Sequence, residues 1–330
     1  MRAGDRPSMR SAAISLGAFV LLTACAGARP GQNGRLSLTH PAGAQSGRMT
    51  GLIGRPFGVA VTPSGAVYVT QQDANSVARY SLSSMEPAGA TVPVGADPGD
   101  VIFNRAGTRA YASTFYGGKV HVIDVATGSQ TALYPIGSNA YRLALCGDES
   151  RLFVSTVSGT VASVPTSGTG ASLFVFLGGS VQGIAVSPSG STLYATSTSG
   201  NVYRIDPATL AIQTTRKLGL TLQGIAVAPN GSELYVANEG GSLLVLDAAT
   251  LATLAAVPLR GDGFGVAVTP DGAQIYVTSA SAGRLTIVDR ATRAVTSTLS
   301  LGGVPRRVAF DATGATAVVA NEFNWVDVIK

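Results

Sequence analysis

Charge, histidine and cysteine are all scarce in this 330-residue chain, and each scarcity removes a class of function. Only 12% of the residues are charged, and the formal net charge is +5 with no run of Lys or Arg. That pattern gives no electrostatic footprint for nucleic acid. Histidine occurs twice, at His40 and His121. Neither falls at a central position, so a Ser-His-Asp site or a histidine-based lyase site lacks its base. Cysteine also occurs twice, at Cys25 and Cys146. Cys146 follows the apolar Leu143, Ala144 and Leu145 and reads as a small buried hydrophobe, not a nucleophile. Metal chemistry needs several Asp, Glu or Asn oxygens converging on one point. Asp100 is the one carboxylate at the start of an inner strand, and Glu239 and Glu322 read as turn and loop residues.

What is abundant is Gly, with 41 residues, amid Ser, Thr, Ala and Val. This is the composition of short strands joined by tight turns. The stretch Gly265–Arg290 shows the unit. Val266 and Val268 alternate with Ala267, and Thr269-Pro270-Asp271-Gly272 then suits a type I turn, with Pro second and Gly fourth. Ile275–Val277 and Leu285–Val288 follow as β-rich runs, and Ala294–Leu301 supplies a fourth. Four short strands cannot bury two faces alone, so copies should stack.

Copies are present. The first strand and turn recur as GVAVTPSG at 58–65, DVIFNRAG at 100–107, RLALCGDE at 142–149 and GIAVSPSG at 183–190, then as GIAVAPNG at 224–231, GVAVTPDG at 265–272 and RVAFDATG at 307–314. The turn positions are spaced by 42, 42, 41, 41, 41 and 42 residues, which chance does not produce. A four-stranded repeat of about 40 residues is the signature of a β-propeller blade, so the chain is expected to be an all-β, seven-bladed β-propeller over 47–330. In blade 1 the strands are placed at Gly58–Val61 (A), Val67–Thr70 (B), Val77–Ser81 (C) and Ala90–Val94 (D). After the seventh turn only strands at Thr316–Ala320 and Trp325–Ile329 remain. The missing outer strand is expected at Gly47–Leu52, where it would remove an open edge. Arg35–Thr39 has the spacing of a competing strand C, but Trp325, Val328 and Ile329 bury more apolar surface.

Tyr68-Val69-Thr70, Tyr235-Val236-Ala237-Asn238 and Tyr276-Val277-Thr278-Ser279, each after a G-[VI]-A-V-x-P-x-G segment, resemble the repeats of YVTN-type β-propeller proteins. Blades 2, 3 and 7 depart from that turn, with Asn104-Arg105, Gly147-Asp148 and Ala312-Thr313. The resemblance implies an extracytoplasmic propeller of the binding or surface kind, without established catalysis. No Trp-Asp dipeptide ends strand C, which disfavours the WD-repeat branch.

The N-terminus reads as an export signal. Arg2, Arg6 and Arg10 form a basic region, and Ala12–Leu22 is apolar but too short for a spanning helix of ~20 residues. Leu22-Thr23-Ala24-Cys25 resembles the bacterial lipoprotein cleavage box, which implies a signal peptide over 1–24, a lipid on Cys25 and a tether over 25–46. Met9 can serve as an alternative start. Acylation of Cys25, as the resemblance implies, is expected to leave no intrachain disulfide available.

The expected binding site is the channel mouth where the D–A and B–C loops emerge. The residues preceding the inner strands are Phe57, Gly99, Tyr141, Gln182, Gln223, Phe264 and Arg306, followed by Asp100, Arg142 and Arg307 in the three blades that lack Gly there. Aromatic faces, amides and Arg forks suit a small anionic or sugar-like ligand, or a peptide or protein terminus. The alternative is that these side chains plug the channel and pair with one another. Asp124, Asp206, Asp247 and Asp289 recur at the end of strand C and read as turn caps. The functional expectation is a lipid-anchored, extracytoplasmic binding or scaffold propeller with no catalysis and no cofactor. A metal-assisted hydrolase or lactonase, or a surface adhesion protein, stands as the alternative. Localisation is expected at the periplasm, outer membrane or cell surface of a bacterium.

Overall fold

The computed structural model describes residues 40–137 and 139–330. The expected signal peptide over 1–24, Cys25, the expected tether up to residue 39 and the Arg35–Thr39 segment lie outside them. Seven four-stranded antiparallel sheets form the blades of a β-propeller. In blade 1 the strands run Pro56–Val61, Ala66–Gln71, Ser76–Ser81 and Val92–Pro93 from the inside outwards. The inner three match the expected ones, while the outermost shrinks to two residues.

The ring closes with mixed ends. Gln45–Met49 pairs antiparallel with Trp325–Ile329 and becomes the outer strand of the last blade, which also contains Pro305–Phe310 and Ala317–Asn321. The closing strand therefore lies two to three residues before the expected Gly47–Leu52, and Trp325–Ile329 holds the strand C position. Asp327 sits at the clasp, fully buried, and accepts from Gln45 Nε2 at 2.8 Å, Arg48 Nε at 2.7 Å and Trp325 Nε1 at 2.9 Å. Burial outweighs the Arg48 cation and raises the Asp327 carboxyl above its usual range.

Packing lies between blades, so strand B is apolar on both faces. Tyr68, Tyr111, Tyr235 and Tyr276, the tyrosines that open the strand B motif, are among the largest fully buried side chains. Their rings reach the next blade: Tyr68 Oη donates to Val125 O at 3.4 Å, and Tyr194 Oη, at the same position of blade 4, donates to Ala248 O at 2.9 Å. Cys146 is buried in the cluster that joins blades 3 and 4, with Phe153, Leu193 and Tyr203. The recurrent aspartates cap the C–D turns as expected. Asp247 Oδ1 accepts from both the backbone N and Oγ1 of Thr250 at 2.7 Å, and Asp124, Asp206 and Asp289 do the same for Thr127, Thr209 and Thr292. Those hydrogen bonds hold the carboxyls of Asp124, Asp247 and Asp289 below their usual range.

Candidate functional site

Where the inner strands begin, the A–B register slips by one residue in blades 1 to 5 and in blade 7. In blade 1, Pro56 pairs with Gln71 but Val59 with Val69, so Phe57 and Gly58 face Thr70 alone. A bulge of this kind turns side chains away from the sheet plane. It also frees a backbone N–H, and the third residue of the strand B motif takes it: Gly58 N donates to Thr70 Oγ1 at 2.7 Å, Asp100 N to Ser113 Oγ at 3.0 Å and Arg142 N to Ser155 Oγ at 3.1 Å. Hydroxyls at this position also donate to the neighbouring blade. Ser113 Oγ reaches Tyr141 O at 2.7 Å, Thr196 Oγ1 reaches Gln223 O at 2.6 Å and Thr278 Oγ1 reaches Arg306 O at 2.7 Å. Blade 5 has Ala237 at this position, and there Gly224 N donates directly to Phe264 O of blade 6 at 2.9 Å. A Cβ on Gly183 would meet Gln223 O at 2.7 Å, which is why glycine recurs beside this seam.

The nine ring residues divide into three groups. Phe57, Tyr141 and Phe264 are buried and pack together, with Phe57 5.8 Å from Tyr141 and 5.9 Å, edge-on, from Phe264. Arg306 lies over this cluster, its guanidinium 4.5 Å from the Phe264 centroid, and its Nε donates to Glu322 Oε1 at 2.7 Å. Arg307 lies against the same rings, 4.9 Å from Phe264, 5.6 Å from Phe57 and 5.7 Å from Tyr141. Together the three rings and Arg306 fill the channel mouth at the D–A and B–C loops. The two amides stand apart: Gln223 Nε2 donates to Glu239 Oε1 at 2.5 Å, and Gln182 Nε2 to Ser180 Oγ at 2.6 Å. Glu239 and Glu322, read from the sequence as turn and loop residues, thus hold two of the ring residues in place.

The third group is Asp100, Arg142 and Arg307, which lie at the inner end of a cavity of about 440 Å³. The cavity follows the inner strands of blades 7, 1, 2 and 3 as far as the A–B turn residues Pro63, Asn104, Arg105 and Ala312. The channel is therefore a cup, stoppered at the loop end and open at the turn end. Asp100 Oδ2 accepts from Leu143 N at 3.0 Å, and Asp100 Oδ1 lies 2.9 Å from Arg142 Nη1, close enough to pair but not aligned as a hydrogen bond. Arg307 is 3% exposed, and its Nε and Nη1 have no hydrogen-bond partner among the described residues. Burial and the nearby Arg142 cation lower the Arg307 pKa to about 10, so it keeps its proton at neutral pH.

The histidines lie elsewhere. His121 is buried in strand C of blade 2, where Nε2 accepts from Gly95 N at 3.1 Å and Nδ1 bonds Gln130 Oε1 at 2.7 Å; burial lowers its pKa. His40 pairs with Asp271 at 2.7 Å on the turn side. Among the described residues, no three His, Cys, Asp or Glu side chains converge as a metal site would require.

The loop face around the stopper carries large exposed apolar groups that the sequence reading did not single out. Ile53, in the loop entering blade 1, is 64% exposed; Tyr116 and Phe323, in the B–C loops of blades 2 and 7, are 72% and 61% exposed. Tyr116 stacks edge-on against Phe115 at 4.8 Å, and Phe115 in turn packs on the stopper.

No protein-family model matches the sequence, and no curated protein matches it significantly. Solved structures do. Hydrazine synthase of Kuenenia stuttgartiensis aligns with a TM-score of 0.76 at 20% identity, over 85% of this chain and 96% of that one. The β-propeller domain of Cps50 (Swd1) from Myceliophteria thermophila aligns with a TM-score of 0.75 at 15% identity, over 87% and 98%. Identities this low speak to architecture, and the chain shares with these proteins the β-propeller fold.

Proposed function

We propose that this chain is a non-catalytic, extracytoplasmic binding propeller, lipid-anchored at Cys25 and akin to the YVTN-type repeat proteins, whose protein or peptide partner docks on the D–A/B–C loop face. The observation that carries this reading is the exposure of Ile53, Tyr116 and Phe323 on loops of three successive blades, 7, 1 and 2, beside a mouth already filled by Phe57, Tyr141 and Phe264. A stoppered mouth offers a surface instead of a hole, and exposed aromatics on a surface are the usual anchors of protein interfaces. Arg306, Gln182 and Gln223 supply polar groups around the same mouth, with Glu322, Ser180 and Glu239 fixing their orientation. A non-catalytic role is supported by His121, whose two ring nitrogens are both engaged in structural hydrogen bonds.

The test is site-specific photo-crosslinking in cells that produce the full chain. A photoreactive residue replaces Tyr116 or Phe323, with Leu254 on the outer strand of blade 5, 43% exposed, as the control position. Discrete adducts are expected from positions 116 and 323 and not from 254. Adducts shared by all three positions, or absent from 116 and 323, would show that partners do not dock on this face.

A further inference from the structure

The cup on the opposite side of the stopper has a chemistry of its own. Its inner end carries two guanidinium groups, Arg142 and Arg307, against one carboxylate, Asp100. Asp100 is already engaged, by Arg142 through Oδ1 and by Leu143 N through Oδ2. Arg307 therefore has no carboxylate partner among the described residues. Its aromatic neighbours cover one side of the guanidinium with ring faces, while Nε and Nη1 are left unbonded in a place that is 3% exposed. Its weak contact with Tyr141 Oη, at 3.5 Å, does not change this balance. A buried cation with unused donors is costly unless an anion joins it. The opening adds a further cation: Arg105 lines the turn end, its guanidinium bonded to the Gly147 carbonyl, although the Glu149 carboxylate lies against its backbone.

We propose that the cup is an anion-binding site, entered from the A–B turn end, for a small molecule bearing one carboxylate or phosphate group that docks on Arg307 and Arg142. The planar donors of a guanidinium match a carboxylate or phosphate in bidentate fashion, and charge-assisted bonds of this kind are the strong ones in a site shielded from water. One oxyanion neutralises the surplus cation, and Asp100 repels a second. The cup is larger than an oxyanion alone requires, so the remainder of the molecule lies against Val59, Val101, Val308 and Ala309. This site lies on the other side of the stopper from the proposed docking face and does not depend on it.

Titration of the full chain with inorganic phosphate and, separately, with acetate tests the proposal. Ionic strength is held constant, and both calorimetry and the thermal midpoint are followed. Saturable, one-to-one binding of at least one of these probes is expected, whereas preferential exclusion of salt from the surface gives an unsaturable rise. Arg307→Lys, which keeps a charge and loses the fork, should weaken binding tenfold or more, and Arg142→Ala should weaken it similarly. Because a buried variant can fail to fold, Asp100→Asn provides an opposite-signed arm: removing the one carboxylate should tighten binding severalfold. Tighter phosphate than acetate binding would assign a phosphate-bearing ligand, and the reverse a carboxylate. Absence of saturable binding by either probe, or saturable binding that Asp100→Asn and the folded Arg variants leave unchanged, would overturn the proposal.

Discussion

At the scale of single residues, the hydroxyl in the third position of the strand B motif does more than fill space. Thr278 Oγ1 accepts from Gly265 N at 2.8 Å and donates to Arg306 O at 2.7 Å, tying the start of the inner strand in one blade to the backbone of the next. Thr278→Val keeps the shape and removes both bonds, leaving a buried N–H and a part-buried carbonyl without this partner. Such an orphaned group costs about 1–3 kcal/mol. Chemical denaturation with an unchanged m-value should register that loss, and a variant within ~0.5 kcal/mol of the parent would show that the stitch carries no energy. The Tyr-Val-Thr triplets are visible in the sequence, but their pairing with the inner-strand bulge is not. A period-2 pattern records which face a residue occupies and says nothing of a one-residue slip. For the same reason Phe57, Tyr141 and Phe264 could be placed on a ring, while their convergence into a stopper, and the capture of Arg306 by Glu322, required long side chains to be followed in space.

At the scale of elements, the strands and the ring closure were the most legible features. Seven turns at intervals of 41 or 42 residues fix the blades, and the shortage of strands after Gly314 demands a strand from the N-terminal end. The closing strand's offset, Gln45–Met49 in place of Gly47–Leu52, has a polar cause. Gln45 and Arg48 both reach the buried Asp327, and no apolar pattern advertises that preference. The clasp should be sensitive to how Asp327 is changed. Asp327→Ala removes the acceptor shared by Gln45, Arg48 and Trp325, and leaving donors of this kind without their partner costs about 1–3 kcal/mol. Asp327→Asn keeps an acceptor oxygen and removes a charge that burial already disfavours, so it should cost markedly less. Thermal or denaturant unfolding of the two variants checks the order, and equal losses would show that the charge, not the acceptor, holds the chain ends together.

For the whole molecule, composition and repeat length point to a ring, and the structure supplies its sidedness: one face stoppered and apolar-studded, the other open and cationic within. The proposed anchor is tested by Cys25→Ser, which should abolish lipid attachment and leave a soluble or unprocessed chain. If that variant is still cleaved and fractionates with membranes as the parent does, the anchor assignment fails. The path of the closing strand adds a directional consequence. Gln45 pairs with Ile329, Ala44 exchanges backbone hydrogen bonds with Lys330, and His40 meets Asp271 in the A–B turn of blade 6, so the chain enters the ring from the turn side. Fifteen residues, from Cys25 to Thr39, precede His40, a leash of at most ~54 Å when fully extended. An anchor at its far end would hold the propeller by its turn side, with the cup turned toward the bilayer and Ile53, Tyr116 and Phe323 presented outward. In that posture the two sites would sample different surroundings: the cup would meet solutes confined near lipid headgroups, and the apolar loops would meet whatever approaches from the open compartment.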